Sequence, residues 1–576
     1  DISIIKYLDE NADLIKEKYN KFIHQLSKKK INGLNVPNYF NLNKGYNLWW
    51  MSLVVEKSMY KSKSHTSCLK LITLEQIINQ YELKKINFFC NDIAIIKTVK
   101  RLSRELNIEL IIINKKNSLT YKYKFPLIVK VILYAIGFFF YRWPLRQVKK
   151  EDIQKLNNKL IFFSYLYHSN NQSNYINLDH LSALDKILKS KEIKTYWLHH
   201  FVSSYNRQGP IATKDIINYT NKRLSHNYHE TFDTSLSISM VLKIIRTYFY
   251  IYFKTYNTKK FINLFKPNDS KLMLWDVMEK DFNESFFGII CFKNIKWIYQ
   301  IDQILSNIPK QKVGIYLMEN QGWERALLHS WNLYGHGKIV AYQYGLLRYW
   351  DLSYCNYPSI ENKKTDLPQP DAIAVSGKHA FNSFKRMGYN EDDLLVVENL
   401  RYNDFPNVNL SKNKSVRKDK KVREIIILFD IEFSINRKLI NYINNLSKKF
   451  DHIKIKIKFH PAGRFSVSKY LKRKFEIVAD NLENTSKNVD LALAVSNTGA
   501  SVDMYLLNIP IIIFRDVNSI NFSPFVKYSD EIKYVTNTKE LENALDSMGD
   551  YNLNNDEFLW VDKNLNKWTK LLNKLI

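Results

Sequence analysis

Two stretches, IKIKIKFHPAGRFS at residues 453–466 and DLALAVSNTGASVDMYLLNIPIIIFR at residues 490–515, decide the fold. In the first, apolar residues alternate with lysine from Ile453 to Phe459, the period of a β-strand, and the run stops at His460-Pro461. In the second, the apolar run Leu491–Val495 stops at Ser496-Asn497-Thr498-Gly499-Ala500-Ser501, and a helix and a third strand, Pro510–Phe514, follow. Strand, crossover helix and strand make a parallel βαβ unit. Ligands of open parallel sheets bind outside the carboxyl ends of the strands. Both polar loops fall at such ends, so His460 and the Ser/Thr cluster are expected to face one crevice.

Upstream the pattern recurs. Lys159–Tyr167 (KLIFFSYLY) reads as a buried strand running into His168-Ser169-Asn170-Asn171, and a second strand carries His199 and His200. Neighbours on a strand point to opposite faces, so these two histidines cannot share a metal from it. Val313–Met318 ends at Glu319 and opens a helix that stops at the glycines of Gly335-His336-Gly337. Ile339–Tyr342 then meets Gln343, placing Glu319 and Gln343 at the ends of neighbouring strands. Ala372–Ser376 adds a strand, and Val396–Tyr402, with Glu398 and Arg401, closes this half. The polar, lysine-rich residues 407–422 read as a linker. Glu424–Phe429, ending at Asp430, opens the last domain.

The division expected is an α/β accessory module at 1–115, a basic, aromatic segment at 116–158, α/β domains at 159–406 and 423–576, and the linker between them. The Trp49-Trp50 pair of the module lines a ligand surface or sits in a core. The apolar run Phe125–Trp143 approaches the length of a spanning helix. Lys130, Arg142, Pro126, Gly137 and Pro144 interrupt it, and Lys122, Lys124, Arg146, Lys149 and Lys150 flank it, which fits in-plane membrane contact better than a span. A second basic, aromatic stretch starts at Val241. Peripheral attachment at the inner, cytoplasmic face of an anionic membrane is the expectation, with a buried helix pair as its rival.

The 576 residues exceed one core, and 45% apolar content fits globular domains. A net charge of +30 favours anionic partners, although the abundance of Lys, Asn, Ile and Tyr is also what an AT-rich genome gives. No helix-turn-helix, zinc finger or RNA-binding signature is present, so nucleic acid is not expected. The four cysteines, Cys68, Cys90, Cys291 and Cys355, form no CxxC pair, which fits a reducing compartment without a zinc site.

For chemistry, His460 at a sheet rim with Lys458 two residues back suits a phosphate. Ser496, Thr498 and Ser501 offer hydroxyls, and the helix behind them offers free N–H groups; ordinary capping explains the same residues. Glu319 is the best general base, with Glu324 and Asp351 in reserve; helix capping or pairing with Arg325 is its alternative role. No GxGxxG, Walker or GxSxG motif is present, and no compact acidic metal pair follows a strand, so a cofactor-free, metal-independent reaction is expected.

LWWMSLVVEKS, ENQGWERALLHSWNLYGHGKIVAYQYGLLRYWDL, VVENLRY, KFHPAG and SNTGASVDMYLLNIPIII resemble a family of bacterial surface-carbohydrate biosynthesis proteins. KFHPAG and SNTGASVDMYLLNIPIII also resemble the HP and Ser/Thr motifs of bacterial CMP-sugar transferases with the GT-B fold, such as sialyl and Kdo transferases. The resemblance implies a GT-B-type pair of Rossmann-like domains. It implies that His460 and Pro461 match the HP motif whose histidine contacts the CMP phosphate. The loop Ser496, Asn497, Thr498, Gly499 and Ser501 would bind donor with Lys458. Glu319 lies where such enzymes place an acidic base, but the usual doubled acid is here Glu-Asn-Gln, and Gln343-Tyr344-Gly345 replaces the Gln-His-Gly of many relatives. Gln343, Glu398, Arg401 and Asp430 complete the candidates. The implied activity moves an acidic ulosonic sugar from a CMP donor to a surface glycan or lipid-linked glycan. Its rivals are a CDP-glycerol-type phosphotransferase, a UDP-sugar transferase and a non-catalytic scaffold.

Overall fold

The computed structural model describes residues 2–113, 126–148, 160–166, 176, 178, 181–202, 209–223, 226–356, 367–403, 422–461, 463–479, 482–486, 489–528, 532–547 and 558–576. The expected loop His168–Asn171 and nearly all of the linker lie outside these residues, as do Lys122, Lys124, Lys149 and Lys150.

In the N-terminal module, β1 (Lys85–Phe89) and β2 (Glu109–Ile113) pair in parallel, joined by the helix Ile93–Glu105. The first large sheet comprises β3 (Leu160–Leu166), β4 (Thr195–Phe201), β5 (Asn227–Thr231), β6 (Val313–Leu317), β7 (Lys338–Tyr342), β8 (Ala372–Val375) and β9 (Leu394–Val396). Its order is β5-β4-β3-β6-β7-β8-β9, parallel throughout. The second comprises β10 (Glu424–Leu428), β11 (Lys454–Lys458), β12 (Phe475–Ile477), β13 (Leu491–Val495), β14 (Ile511–Phe514) and β15 (Lys533–Val535). Its order is β12-β11-β10-β13-β14-β15, again parallel. Each sheet therefore begins in the middle, winds outward one way, then returns to wind the other way. That is the doubly wound, Rossmann-like order, and it puts a switch point between β3 and β6 and another between β10 and β13.

Composition explains which strands lie where. Every residue of Leu491–Val495 is buried, as expected of a central strand covered on both faces. In Lys454–Lys458 the isoleucines are buried while the lysines are exposed or half-buried, because β11 lies one strand from the sheet edge. The two sheets form the GT-B-type pair. Their carboxyl edges meet where the loop after β7 touches the loop after β13: the Arg348 guanidinium donates to the Asn497 carbonyl at 3.3 Å.

Two departures from the expected division follow from packing. The module has no core of its own: Leu8, Tyr19, Phe40 and Trp49 belong to one apolar cluster with Tyr196, Phe286 and Tyr316. Trp49 is a core residue, stacked on Phe40 and Phe286. At the other end, the helix Asn566–Leu575 leaves the second domain and packs Trp568, Leu571 and Leu572 onto the first sheet. Its N-terminal N–H groups need an acceptor, and Glu398 supplies it, accepting from Lys567 N at 2.7 Å and Trp568 N at 3.0 Å. Glu398 is thus a cap for that helix and not part of the cleft chemistry. Glu398→Ala is expected to lower stability by about 1–2 kcal/mol, read as a shifted urea midpoint.

The helix Leu127–Arg142 and the helix Ile238–Thr255 both pack against Ile289–Asn307. They are not a buried pair: Leu133, Phe140, Leu242 and Phe253 are exposed. Among the described residues, Leu127–Gln147 is the one stretch long and apolar enough to cross a membrane by length and composition.

Candidate active site

Glu319 follows β6, beside the first switch point. It is half-buried, and its carboxylate accepts from Tyr165 Oη, on the neighbouring β3, at 3.1 Å. Gln321 Nε2 donates to the same oxygen, Oε2. Two donors on one oxygen leave the other for a proton. Sequence alone gave no reason to single out Tyr165; it pairs with Glu319 only because β3 lies beside β6.

Glu319 neither caps the helix Gly322–Leu333 nor pairs with Arg325. Glu324 is the cap: it accepts from the backbone N–H groups of Glu319, Asn320 and Gln321 at 3.1, 2.9 and 3.0 Å. Arg325 donates to Asn320 Oδ1 and the Pro368 carbonyl. Glycine is needed at the first helical position, since a Cβ on Gly322 would meet the Met51 carbonyl at 2.9 Å. Glu324 is fully enclosed, so it is not a reserve base for a substrate in the cleft.

Burial pushes the Glu324 carboxyl up to about 8, against backbone N–H groups that favour the charged form. The unfolded chain titrates near the ordinary glutamate value of about 4.3. The folded state holds this proton more tightly, so its contribution to stability is whole below about pH 4.3 and is lost as pH rises through about 8. Glu324→Gln is expected to flatten the fall in Tm between those limits in scanning calorimetry. An unchanged slope contradicts a raised carboxyl.

Gln343 is buried at the end of β7; its Nε2 donates to Gly345 O and its Oε1 accepts from Ser376 Oγ at 3.3 Å. Asp351 folds back on its own loop, accepting from Arg348 N at 2.7 Å. Burial raises the Asp351 carboxyl, and the Arg348 guanidinium offsets part of that rise. Both residues shape the loop that touches the second domain. Neither contacts Glu319 by a hydrogen bond between described residues.

On the opposite wall, Ser496, Thr498 and Ser501 are buried in the turn after β13, where Ser501 Oγ donates to the Thr498 carbonyl at 2.9 Å. Asn497 lies at the domain contact, its Oδ1 buried without a hydrogen-bond partner. A Cβ on Gly499 would lie 3.6 Å from Leu346 of the first domain. One turn further, burial pushes the Asp503 carboxyl up to about 6, against the opposing influence of Tyr402 and Arg401 across the contact. Arg401 therefore faces the second domain. Asp503 was not singled out from the sequence, where it reads as one polar residue on a short helix.

His460 lies in the turn after β11, its carbonyl accepting from Gly463 N at 2.9 Å. It is half-buried and Pro461 is exposed. Gly463 lets this turn press on the neighbouring loop, since a Cβ there would meet Ile431 Cα at 3.0 Å. The sheet order separates His460 from the Ser/Thr turn: β10 lies between β11 and β13, and Asp430 follows two residues after it ends. Two strand spacings amount to about 10 Å. The expected common crevice is therefore a shared sheet edge with Asp430 in the middle, buried and accepting from Ile431 N. Lys458 points away from the Ser/Thr turn, with Nζ on the Ala479 carbonyl at 3.1 Å.

His199 and His200 do point opposite ways. His199 bridges Ser164 Oγ at 2.8 Å and His229 at 3.0 Å, while His200 lies against Tyr165 and Trp297. Among the described residues no group of three or more His, Cys, Asp or Glu is arranged to hold a metal ion.

No family model matches this sequence, and no curated protein matches it. Solved structures do align. The UDP-GlcNAc 2-epimerase of Methanocaldococcus jannaschii is 14% identical, covers 72% of this chain and 99% of its own, with a TM-score of 0.38. That of Neisseria meningitidis, bound to UDP-GlcNAc, is 12% identical over 73% and 99%, with a TM-score of 0.38. HepE of Anabaena in complex with UDP is 9% identical over 68% and 89%, with a TM-score of 0.34. The fold assignment rests on the strand order of the two sheets and not on these distant likenesses.

Proposed function

We propose that this chain is a nucleotide-sugar-dependent glycosyltransferase that moves an acidic sugar from a CMP-activated donor to a surface glycan acceptor. One observation carries the reading. The carboxyl edges of two doubly wound sheets meet at the contact between Arg348 and Asn497, with a solvent-accessible carboxylate, Glu319, on one wall and a half-buried imidazole, His460, on the other.

In this mechanism Glu319 accepts the proton of the attacking hydroxyl, oriented by Tyr165 and Gln321. The hydroxyl oxygen bonds to the anomeric carbon as the bond to the phosphate oxygen of CMP breaks. His460 stabilises the negative charge that develops on that phosphate. The hydroxyls of the Ser496–Ser501 turn hold the remainder of the donor. The HP and Ser/Thr resemblance supports CMP as the nucleotide. The location at the cytoplasmic membrane face and the absence of a cofactor requirement belong to the same proposal.

Titration calorimetry with CMP, CDP and UDP tests it. Binding of CMP, weakened by His460→Ala, is the expected result. Binding of CDP or UDP without CMP would move the reading to a glycerophosphotransferase or a UDP-sugar enzyme, and no nucleotide binding would favour a scaffold.

A further inference from the structure

A cleft of about 1100 Å³ opens beside Glu319, between the N-terminal module, the helix Leu127–Arg142 and the helix Ile289–Asn307. Gln321 and Trp323 form the wall it shares with the candidate base. Its acids are all engaged. Glu56 pairs with Lys61, Asp276 with Arg101, and Asp281 accepts from Ser62. Glu284 accepts from Ile289 N, and Asp92 caps its own helix.

Lys296 and the ring nitrogen of His200 are not. Lys296 is 3% exposed, and Nζ makes no hydrogen bond or ion pair with a described residue. It rests over the rings of Trp297 and Phe138 at 3.5 and 4.6 Å. Trp323 is 4% exposed, and its Nε1 lies beside the Tyr165 hydroxyl without a well-formed hydrogen bond. The buried Nδ1 of His200 has no partner, and its ring lies 4.6 Å from that of Trp297. Arg142, held by Asp233 at 2.6 Å, and Lys293 add positive charge to the same wall.

Unfilled donors at the end of a basic pocket ask for an anion rich in acceptor oxygens. Burial lowers the Lys296 ammonium to about 7, with Arg142 and Lys293 lowering it and Asp233 raising it. Leaving this lysine unpaired therefore works against folding, as expected of a group placed for a ligand.

The helix that forms one side of the cleft has a second face. Tyr134, Phe138 and Arg142 recur every four residues and line the cleft. Leu133, Ile136 and Phe140 on the other side are 63%, 50% and 80% exposed. Beyond Ile289–Asn307, Leu242 and Phe253 are also exposed, and Lys130, Lys243 and Arg246 stand beside these apolar residues. An apolar surface flanked by exposed cations suits the edge of an anionic bilayer.

We propose that this cleft binds the phosphate of a lipid-borne phosphate ester, with Lys296, His200 and Trp323 holding the phosphate and the acyl or prenyl chain leaving along the exposed face of Leu127–Arg142. Identifying that ester as the sugar acceptor rests on the glycosyltransferase reading; phosphate binding does not.

The test follows tryptophan fluorescence of the full-length protein titrated with inorganic phosphate and with monododecyl phosphate. The alkyl ester is expected to bind at least about tenfold more tightly than inorganic phosphate. Lys296→Met should weaken both by about tenfold or more while leaving Tm unchanged or higher. Trp323→Phe, which keeps the ring and removes the N–H, should weaken both without loss of fold. Leu133→Ser with Phe140→Ser should abolish the advantage of the alkyl ester alone. CMP affinity, measured separately, should be unchanged in every variant. Unaltered binding in Lys296→Met overturns the site, and equal affinity for the two phosphates overturns the lipid.

Discussion

His460→Ala is expected to lower kcat/KM for sugar transfer by about 10²- to 10³-fold, the usual effect of removing one donor from developing negative charge. The melting temperature should stay within a few degrees of the parent. The backbone of the turn is held by main-chain contacts, Gly463 N on the His460 carbonyl and Phe429 N on the Lys458 carbonyl. The imidazole itself is half-buried. Truncation therefore leaves the main-chain contacts of the turn in place. If His460 were only a strand terminator, turnover would be unchanged.

Glu319→Gln is expected to lower kcat by about 10²- to 10⁴-fold with little change in donor KM. The substitution keeps shape and an oxygen for Tyr165 Oη but removes the basic site. The paired control is Glu324→Gln, five residues on, which alters the cap and the pH dependence of stability while leaving the base in place. Loss of activity in the second variant and not in the first would exchange the roles of the two glutamates.

The sequence shows strands and their ends plainly, because the burial of β13 and the alternation of β11 are local patterns. It does not show strand order. That β10 separates His460 from Ser496, and that β3 brings Tyr165 to Glu319, are outcomes of long-range pairing. The Glu398 cap is hidden for the same reason: it meets a helix start about 170 residues away. Glu324 is local and its box was readable, since Gln321 and Glu324 have the spacing of N-cap and N3. The cleft around Lys296 is assembled from several distant segments. Only the basic, aromatic composition of one of them was visible beforehand.

The most direct measurement offers the purified protein a panel of CMP-sugars with a phosphate-bearing glycolipid acceptor and follows CMP release. Acceptor-dependent CMP release, lowered at least about a hundredfold by His460→Ala and by Glu319→Gln, is the expected result. Release from UDP-sugars alone, or release that both variants retain, would contradict it.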